Sequence, residues 1–223
     1  MNKYVVIVAG GSGSRMGSNI PKQFLEIHQK PIILHTIDRF FSFDPTIQFV
    51  IVMHKDWIDF FQKICFQHNC KFDYSLLAGG ETRFDSCKIG IDFISEKNCL
   101  IAVHDAARPM VSTKTISDGF ELAKIKGAAI PVTTVKDSLR KISKQESKIV
   151  HRDQYRIVQT PQVFQSKILK QAYDCEFNEA FTDDASVVEL QTKQEISLYE
   201  GTNENIKITT PLDLKIASLI LEK

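Results

Sequence analysis

Tyr4-Val5-Val6-Ile7-Val8-Ala9-Gly10-Gly11-Ser12-Gly13-Ser14-Arg15-Met16-Gly17 opens the chain with an apolar run that breaks into a glycine-rich turn. Val5 to Val8 do not alternate apolar with polar, the pattern of a strand covered on both faces. Apolar runs of strand length recur at Tyr4 to Ala9, Gln48 to Met53, Phe72 to Leu77, Leu100 to His104 and Ala128 to Val132. Between them, Ile32 to Phe43, Trp57 to His68, Arg83 to Ile94 and Thr115 to Lys126 read as amphipathic helices. This alternation predicts a doubly wound α/β fold with a mostly parallel sheet and helices on both faces.

Past Pro131 the rhythm changes. Lys136 to Arg152 is rich in Lys, Ser, Gln and Arg, and alternation at Ser138 to Ile142 and again at Lys148 to His151 suits a protruding two-stranded β-arm at about 136–153. An isolated hairpin is marginal in water, so the arm is expected to pack on a second subunit and make a homodimer. The chain then returns with a strand at Tyr155 to Gln159, helices near Ser166 to Asp174 and Asp183 to Gln191, and a last strand around Ile206 to Ile208. Thr210-Pro211-Leu212-Asp213 opens a final helix as a cap, a proline at the first position and an acid three residues after the cap. The expectation is one domain over 1–223 with the arm as an excursion.

Composition narrows the function. The 223 residues carry 28 Lys and Arg against 27 Asp and Glu, which supplies no broad basic face for nucleic acid. No stretch reaches the roughly 18 apolar residues of a membrane span, and nothing at the start resembles an export signal. Five cysteines, an odd number without a C-x-x-C pair, point to free thiols in a reducing cytoplasm rather than to disulfides or a zinc site. Any phosphate bound here is bound locally.

The glycine turn is the natural place for it. Glycines let backbone amides approach an anion, and the turn follows the carboxyl end of a strand, where open α/β sheets bind ligands. The Walker pattern is absent, and the dinucleotide pattern fails because Met16 stands where its third glycine would be. Arg15 and Lys22 can both face the same phosphates, and two such cations suit nucleotidyl transfer, where charge builds on the α-phosphate and on departing pyrophosphate. Asp105, at the end of an apolar strand, is the best carboxylate for Mg²⁺, which needs only one or two. A tight turn without ligand, and an Asp105 paired with Arg108, are the plainer alternatives.

Ala9-Gly10-Gly11-Ser12-Gly13-Ser14-Arg15-Met16-Gly17 followed by Pro21-Lys22-Gln23-Phe24 resembles the signature of the sugar-phosphate nucleotidyltransferases, specifically the methylerythritol phosphate cytidylyltransferases. His104 to Pro109, Gln159 to Phe164, Thr182 to Ser186 and Glu204 to Thr209 fall in that family's order, so the resemblance runs essentially end to end. It implies a Rossmann-like nucleotidyltransferase that joins CTP to 2-C-methyl-D-erythritol 4-phosphate and releases pyrophosphate, on the non-mevalonate route to isoprenoid precursors. Arg15 and Lys22 are then catalytic and Asp105 carries the metal. CTP is held by Ala9, Gly10, Gly11, Gly13, Gly80, Glu81, Arg83, Ser86, Ala106 and Lys207, with Ser86 and backbone groups reading the cytosine. The acceptor is held by Ser138, Thr160, Arg108, Lys207 and, from the neighbouring subunit's arm, Arg152. Many relatives carry Asp at the position of Glu81 and Thr at that of Ser138. A ribitol 5-phosphate cytidylyltransferase shares several of these motifs and is the enzyme alternative. A catalytically silent nucleotide-binding module is the alternative from another class, and a dehydrogenase is disfavoured because no acidic residue sits at the end of the strand closing at Met53 to hold a ribose.

Overall fold

The structure is a computed structural model, which describes residues 1–11, 20–143 and 145–222. In chain order its elements are β1 (Lys3–Ala9), a 3-10 turn (Lys22–Phe24), β2 (Glu26–Ile27), β3 (Lys30–Pro31), α1 (Ile32–Phe43), β4 (Gln48–Met53), α2 (Ile58–Gln67), β5 (Tyr74–Ala78), α3 (Arg83–Phe93), β6 (Leu100–Asp105), α4 (Thr113–Lys126) and β7 (Ala128–Thr134). There follow β8 (Arg140–Ile142), β9 (Ser147–Ile149), β10 (Arg156–Val158), β11 (Gln162–Gln165), α5 (Ser166–Tyr173), α6 (Asp184–Gln191), β12 (Ser197–Glu200) and α7 (Pro211–Leu221).

The main sheet has the order β10-β7-β11-β6-β1-β4-β5, with β12 also paired to β7. β6, β1, β4 and β5 run parallel to one another, as do β7 and β12, whereas β10 and β11 are antiparallel to their neighbours. The sheet is thus mostly parallel, as expected. Its unalternating strands are explained by two cores. Val5, Ile7 and Ala9 join one with α1, α2 and α4, and Val6 joins the other with α3, α5 and α6. With successive side chains on opposite faces, a strand buried on both must be apolar throughout.

Helix ends follow local chemistry. Ser112 caps α4 by accepting from the Thr115 amide, and the helix stops at Gly127, whose φ of 92° belongs to the left-handed region that glycine enters without strain. α7 begins as expected, with Thr210 and Asp213 in a reciprocal capping box and Pro211 in the first turn. One expectation fails. Ile206 to Ile208 form no strand: the Ile208 amide donates to the Ala107 carbonyl at 2.9 Å, so this segment is tied to the loop after β6 instead of joining the sheet. The strand that joins β7 there is Ser197–Glu200, and the four-residue β11 enters the sheet between β6 and β7. The five cysteines are free, and no described helix is long and apolar enough to cross a membrane.

Lys3 and Asp44 tie the start of β1 to the residue after α1, with Lys3 Nζ 2.7 Å from Asp44 Oδ2 while Thr46 donates to Oδ1. The hydrogen bonds from Lys3 and Thr46 hold the Asp44 carboxyl down at about 2, against an ordinary 3.8. A carboxyl depressed in the folded state contributes stability above its ordinary value and loses it as pH falls through the folded one. Asp44→Asn is therefore expected to lower Tm at pH 7 by roughly 1–4 °C, and calorimetry should find the gap from the unaltered protein closing between pH 4 and pH 2. A gap that stays constant over that range would contradict this account.

Candidate active site

Asp105 is the last residue of β6 and stands opposite Val8 in the parallel β1–β6 register, where the Ala106 amide donates to the Val8 carbonyl at 3.1 Å. The turn leaving β1 and the carboxylate ending β6 therefore share the carboxyl rim of the sheet. β5 ends on that rim too, with the Gly79 amide bonded to the Met53 carbonyl at 2.7 Å. Thr82 then starts α3 through a capping box with Asp85, pointing the positive end of the helix at the same region.

These loops enclose a cleft of ≈ 320 Å³. Of the expected nucleotide contacts, Ala9, Gly10, Gly11, Gly80, Glu81, Arg83, Ser86, Ala106 and Lys207 line it, together with Lys22 and Asp105. Gly13 and Arg15 lie outside the described residues. The glycines differ in what they are for. A Cβ on Gly80 would lie 2.3 Å from Asp85 Cβ, so the turn packs against α3 only without one. Among the described residues nothing lies within 4 Å of a Cβ on Gly11, and Gly10 would meet only Ser86 Oγ at 3.5 Å. There the missing side chain leaves room in front of the backbone amides.

Lys22 is placed by its neighbours. Gln23 is buried and its Nε2 donates to the Ala9 carbonyl at 2.6 Å, while Phe24 is buried against Trp57 and Phe60. The two residues after Lys22 thus fasten its turn to the end of β1. Their anchoring role was not read from the sequence, where Gln23 carried no signal beyond its place in the motif.

A second cavity of ≈ 310 Å³ adjoins the first, and Arg83, Asp105 and Lys207 line both. Arg108 and Thr160, expected to hold the acceptor, line this second cavity with Gln159, Gln162, Thr182 and Asp183. Ser138 and Arg152 line neither: both are exposed, and the Arg152 guanidinium donates to the Lys136 carbonyl at the base of the β8–β9 hairpin. Asp105 sits between the cavities, with Lys207 Nζ 3.1 Å from Oδ1, Arg108 Nε 3.0 Å from Oδ2 and Arg83 Nε 3.9 Å from Oδ1. Burial alone would raise this carboxyl, but Lys207, Arg83 and Arg108 hold it well below the usual carboxylate range. The Arg108 pairing foreseen as a plain alternative is present, and it coexists with two further cations.

Behind the rim, His104 is fully buried, with Nδ1 3.0 Å from Thr160 Oγ1 and Nε2 3.3 Å from the Arg108 carbonyl. Burial pushes its pKa down to about 3, which leaves the imidazole neutral near pH 7 as a brace between these two groups. Thr160 Oγ1 also accepts from the Asp105 amide at 3.2 Å. Asn205 bonds the Thr160 carbonyl through its side chain and receives Arg108 on its backbone oxygen. The wall of the second cavity is thus braced by residues whose only sequence signal was membership of quoted motifs.

Among the described residues no three His, Cys, Asp or Glu side chains gather to hold a metal. The donor set fits magnesium in a narrower way: this ion needs only one or two carboxylates, and Asp105 is one ionised carboxylate lining the cleft.

A family model described as IspD: 2-C-methyl-D-erythritol 4-phosphate cytidylyltransferase matches residues 3–223. The 2-C-methyl-D-erythritol 4-phosphate cytidylyltransferase of Bacteroides thetaiotaomicron is 45% identical over 221 residues, covering 99% of this chain and 100% of the relative. That of Phocaeicola vulgatus is 43% identical over 221 residues, with the same coverage. Among solved structures, the 4-diphosphocytidyl-2C-methyl-D-erythritol synthase of Anaerococcus prevotii superposes with a TM-score of 0.85 at 25% identity, covering 100% of this chain and 96% of that one. Its fold and its sequence over nearly every residue place the chain in the 2-C-methyl-D-erythritol 4-phosphate cytidylyltransferase family, nucleotidyltransferases of the non-mevalonate route to isoprenoid precursors.

Proposed function

We propose that the two cavities are the nucleotide and acceptor halves of one site, in which a phosphate oxygen of 2-C-methyl-D-erythritol 4-phosphate attacks the α-phosphorus of CTP. The bond from that phosphorus to the pyrophosphate oxygen breaks, and the products are the cytidine diphosphate ester and pyrophosphate. The observation that carries this reading is the ionised Asp105 at the divide, ringed by Lys207, Arg108 and Arg83, with Lys22 on the nucleotide side. A phosphate monoester has its second pKa near about 6, so the nucleophile is already ionised at neutral pH and no general base is needed. The neutral, buried His104 is consistent with that.

The barrier left to the protein is repulsion between two anions and charge on the leaving group. Lys22 faces the triphosphate, with Arg15 as its expected partner. Lys207 and Arg108 draw the acceptor phosphate against Asp105. Ser86 and the Gly79–Gly80 backbone, crowded against α3, suit a pyrimidine edge. Magnesium, held by Asp105 and the triphosphate, would supply further charge neutralisation at the α-phosphate. A homodimer in which the β8–β9 arm brings Arg152 and Ser138 to the neighbour's acceptor cavity accounts for their exposure here. The five free thiols support a cytoplasmic location.

Purified protein given CTP, magnesium and either 2-C-methyl-D-erythritol 4-phosphate or ribitol 5-phosphate tests this by pyrophosphate release. Turnover is expected with the first acceptor at a kcat/KM at least roughly 10-fold above the second. Equal or reversed preference would reject the acceptor, and no release with either would reject the transfer.

A further inference from the structure

Thr182-Asp183-Asp184-Ala185-Ser186 carries two carboxylates that the proposed chemistry leaves without a task. Asp183 caps α6, accepting from the Ser186 amide at 2.8 Å and from Gln162 Nε2 at 2.7 Å. Asp184 faces elsewhere. It is fully buried and receives the Arg83 guanidinium on both oxygens, at 3.1 and 2.7 Å, in the planar two-pronged geometry that arginine and carboxylate favour. The hydroxyl of Tyr173, at the end of α5, donates to the same carboxylate at 2.6 Å. Burial, then Asp184 itself, pushes the Tyr173 phenol well up, which keeps it a donor. Its ring is fixed by stacking on Phe84, the residue after Arg83, at 4.9 Å.

This anchoring lies behind a residue that lines both cavities. Arg83 is the first residue of α3, and with its two terminal nitrogens bound by Asp184 its Nε stands 3.9 Å from Asp105 Oδ1. That is too long for a hydrogen bond, in contrast to the 3.1 Å approach of Lys207 to the same oxygen. An arginine released from Asp184 has a carboxylate within easy reach and every electrostatic reason to close on it.

We propose, on the reading of this cleft as a cytidylyltransferase site, that Asp184 braced by Tyr173 is a positioning pair for nucleotide binding, holding Arg83 as a preformed wall of the CTP cleft and keeping it from closing to a hydrogen bond on Asp105. Preorganisation of this kind spares the nucleotide the work of ordering a long side chain and of breaking a hydrogen-bonded contact. Its effect is on CTP affinity, because Gly80, Ser86 and Arg83 lie on one side of the same cleft.

Asp184→Asn keeps the shape and an acceptor for Tyr173 but removes the charge, and Tyr173→Phe keeps the stacked ring but removes the brace. Calorimetry of CTP binding to the full chain, with Tm measured alongside, is expected to give Kd about 10-fold weaker for Asp184→Asn and about 3-fold weaker for Tyr173→Phe. In an Arg83→Ala background, Asp184→Asn is expected to weaken CTP no further, since the two act as one unit. A purely structural role would lower Tm and leave Kd alone. A folded Asp184→Asn with Kd within about two-fold of the unaltered protein, or losses that simply add in the double variant, would overturn the proposal. Should Asp184→Asn fail to fold, an unchanged Kd in Tyr173→Phe does the same. Failure of the unaltered protein to bind CTP removes the cytidylyltransferase reading and this proposal together, whereas normal binding by it and by both variants removes the proposal alone.

Discussion

Replacing Lys22 with alanine is expected to lower kcat by roughly 10²-fold or more while Tm stays close to that of the unaltered protein. The two halves of this expectation rest on different atoms. Packing of the 3-10 turn is carried by Gln23, bonded to the Ala9 carbonyl, and by Phe24 among Trp57 and Phe60. Truncating the residue before them leaves those contacts in place. What is lost is a compact cation on the wall of the first cavity, where on the proposed reading charge moves onto pyrophosphate as the bond to it breaks. An interaction made more strongly in the transition state than in the ground state appears in kcat rather than in KM. Lys22→Arg is expected to recover only part of the rate, because a planar fork on a stiffer head does not occupy the position of an ammonium. Pyrophosphate release at saturating CTP, with Tm beside it, decides the matter. Turnover near normal in Lys22→Ala would exclude the role.

How far such roles can be read without coordinates depends on what signal a residue type carries. β4 and α1 were read with their observed limits, Gln48–Met53 and Ile32–Phe43, because an unbroken apolar run and a 3.6-residue stripe are both strong periodic signals. β11 is four residues with glutamine at each end, and its place beside β6 comes from the antiparallel return after Thr160-Pro161, which no local pattern announces. Ile206 to Ile208 has the composition of a strand, yet Lys207 is needed at Asp105 and the Ile208 amide at Ala107, so tertiary contacts override propensity. The cleft was legible where chemistry is tied to a motif, as at Gly10, Lys22 and Asp105. It was not legible where a carboxylate acts from a distance in sequence: Asp184 reaches Arg83 across 101 positions, and nothing in either neighbourhood marks the pair. Ser138 and Arg152 entered only through family resemblance, and a single chain leaves them exposed.

Asp105→Asn should be the most damaging single change, lowering kcat/KM by roughly 10³-fold, beyond the loss at Lys22. The carboxylate is where the two cavities meet, and three cations are arranged on it. Asparagine keeps the shape and returns a neutral group, so Lys207 and Arg108 are left facing each other without a counter-charge, while Arg83 beside them keeps its partner in Asp184. Because Arg83 and Lys207 are part-exposed and screened by solvent, the stability cost is expected to be modest, about 2 kcal/mol, or roughly 4–8 °C in Tm. Lys207 and Arg108 now form an unneutralised anion site, so inorganic phosphate should raise the Tm of Asp105→Asn by more than it raises that of the unaltered protein. In the unaltered protein phosphate must share those cations with a carboxylate already in place. Steady-state rates and a phosphate titration of Tm on both proteins separate this account from a general loss of structure. A variant that is destabilised but indifferent to phosphate would mean that the cations around position 105 do not converge on an anion, and the assignment of the second cavity to a phosphate-bearing acceptor would fall with it.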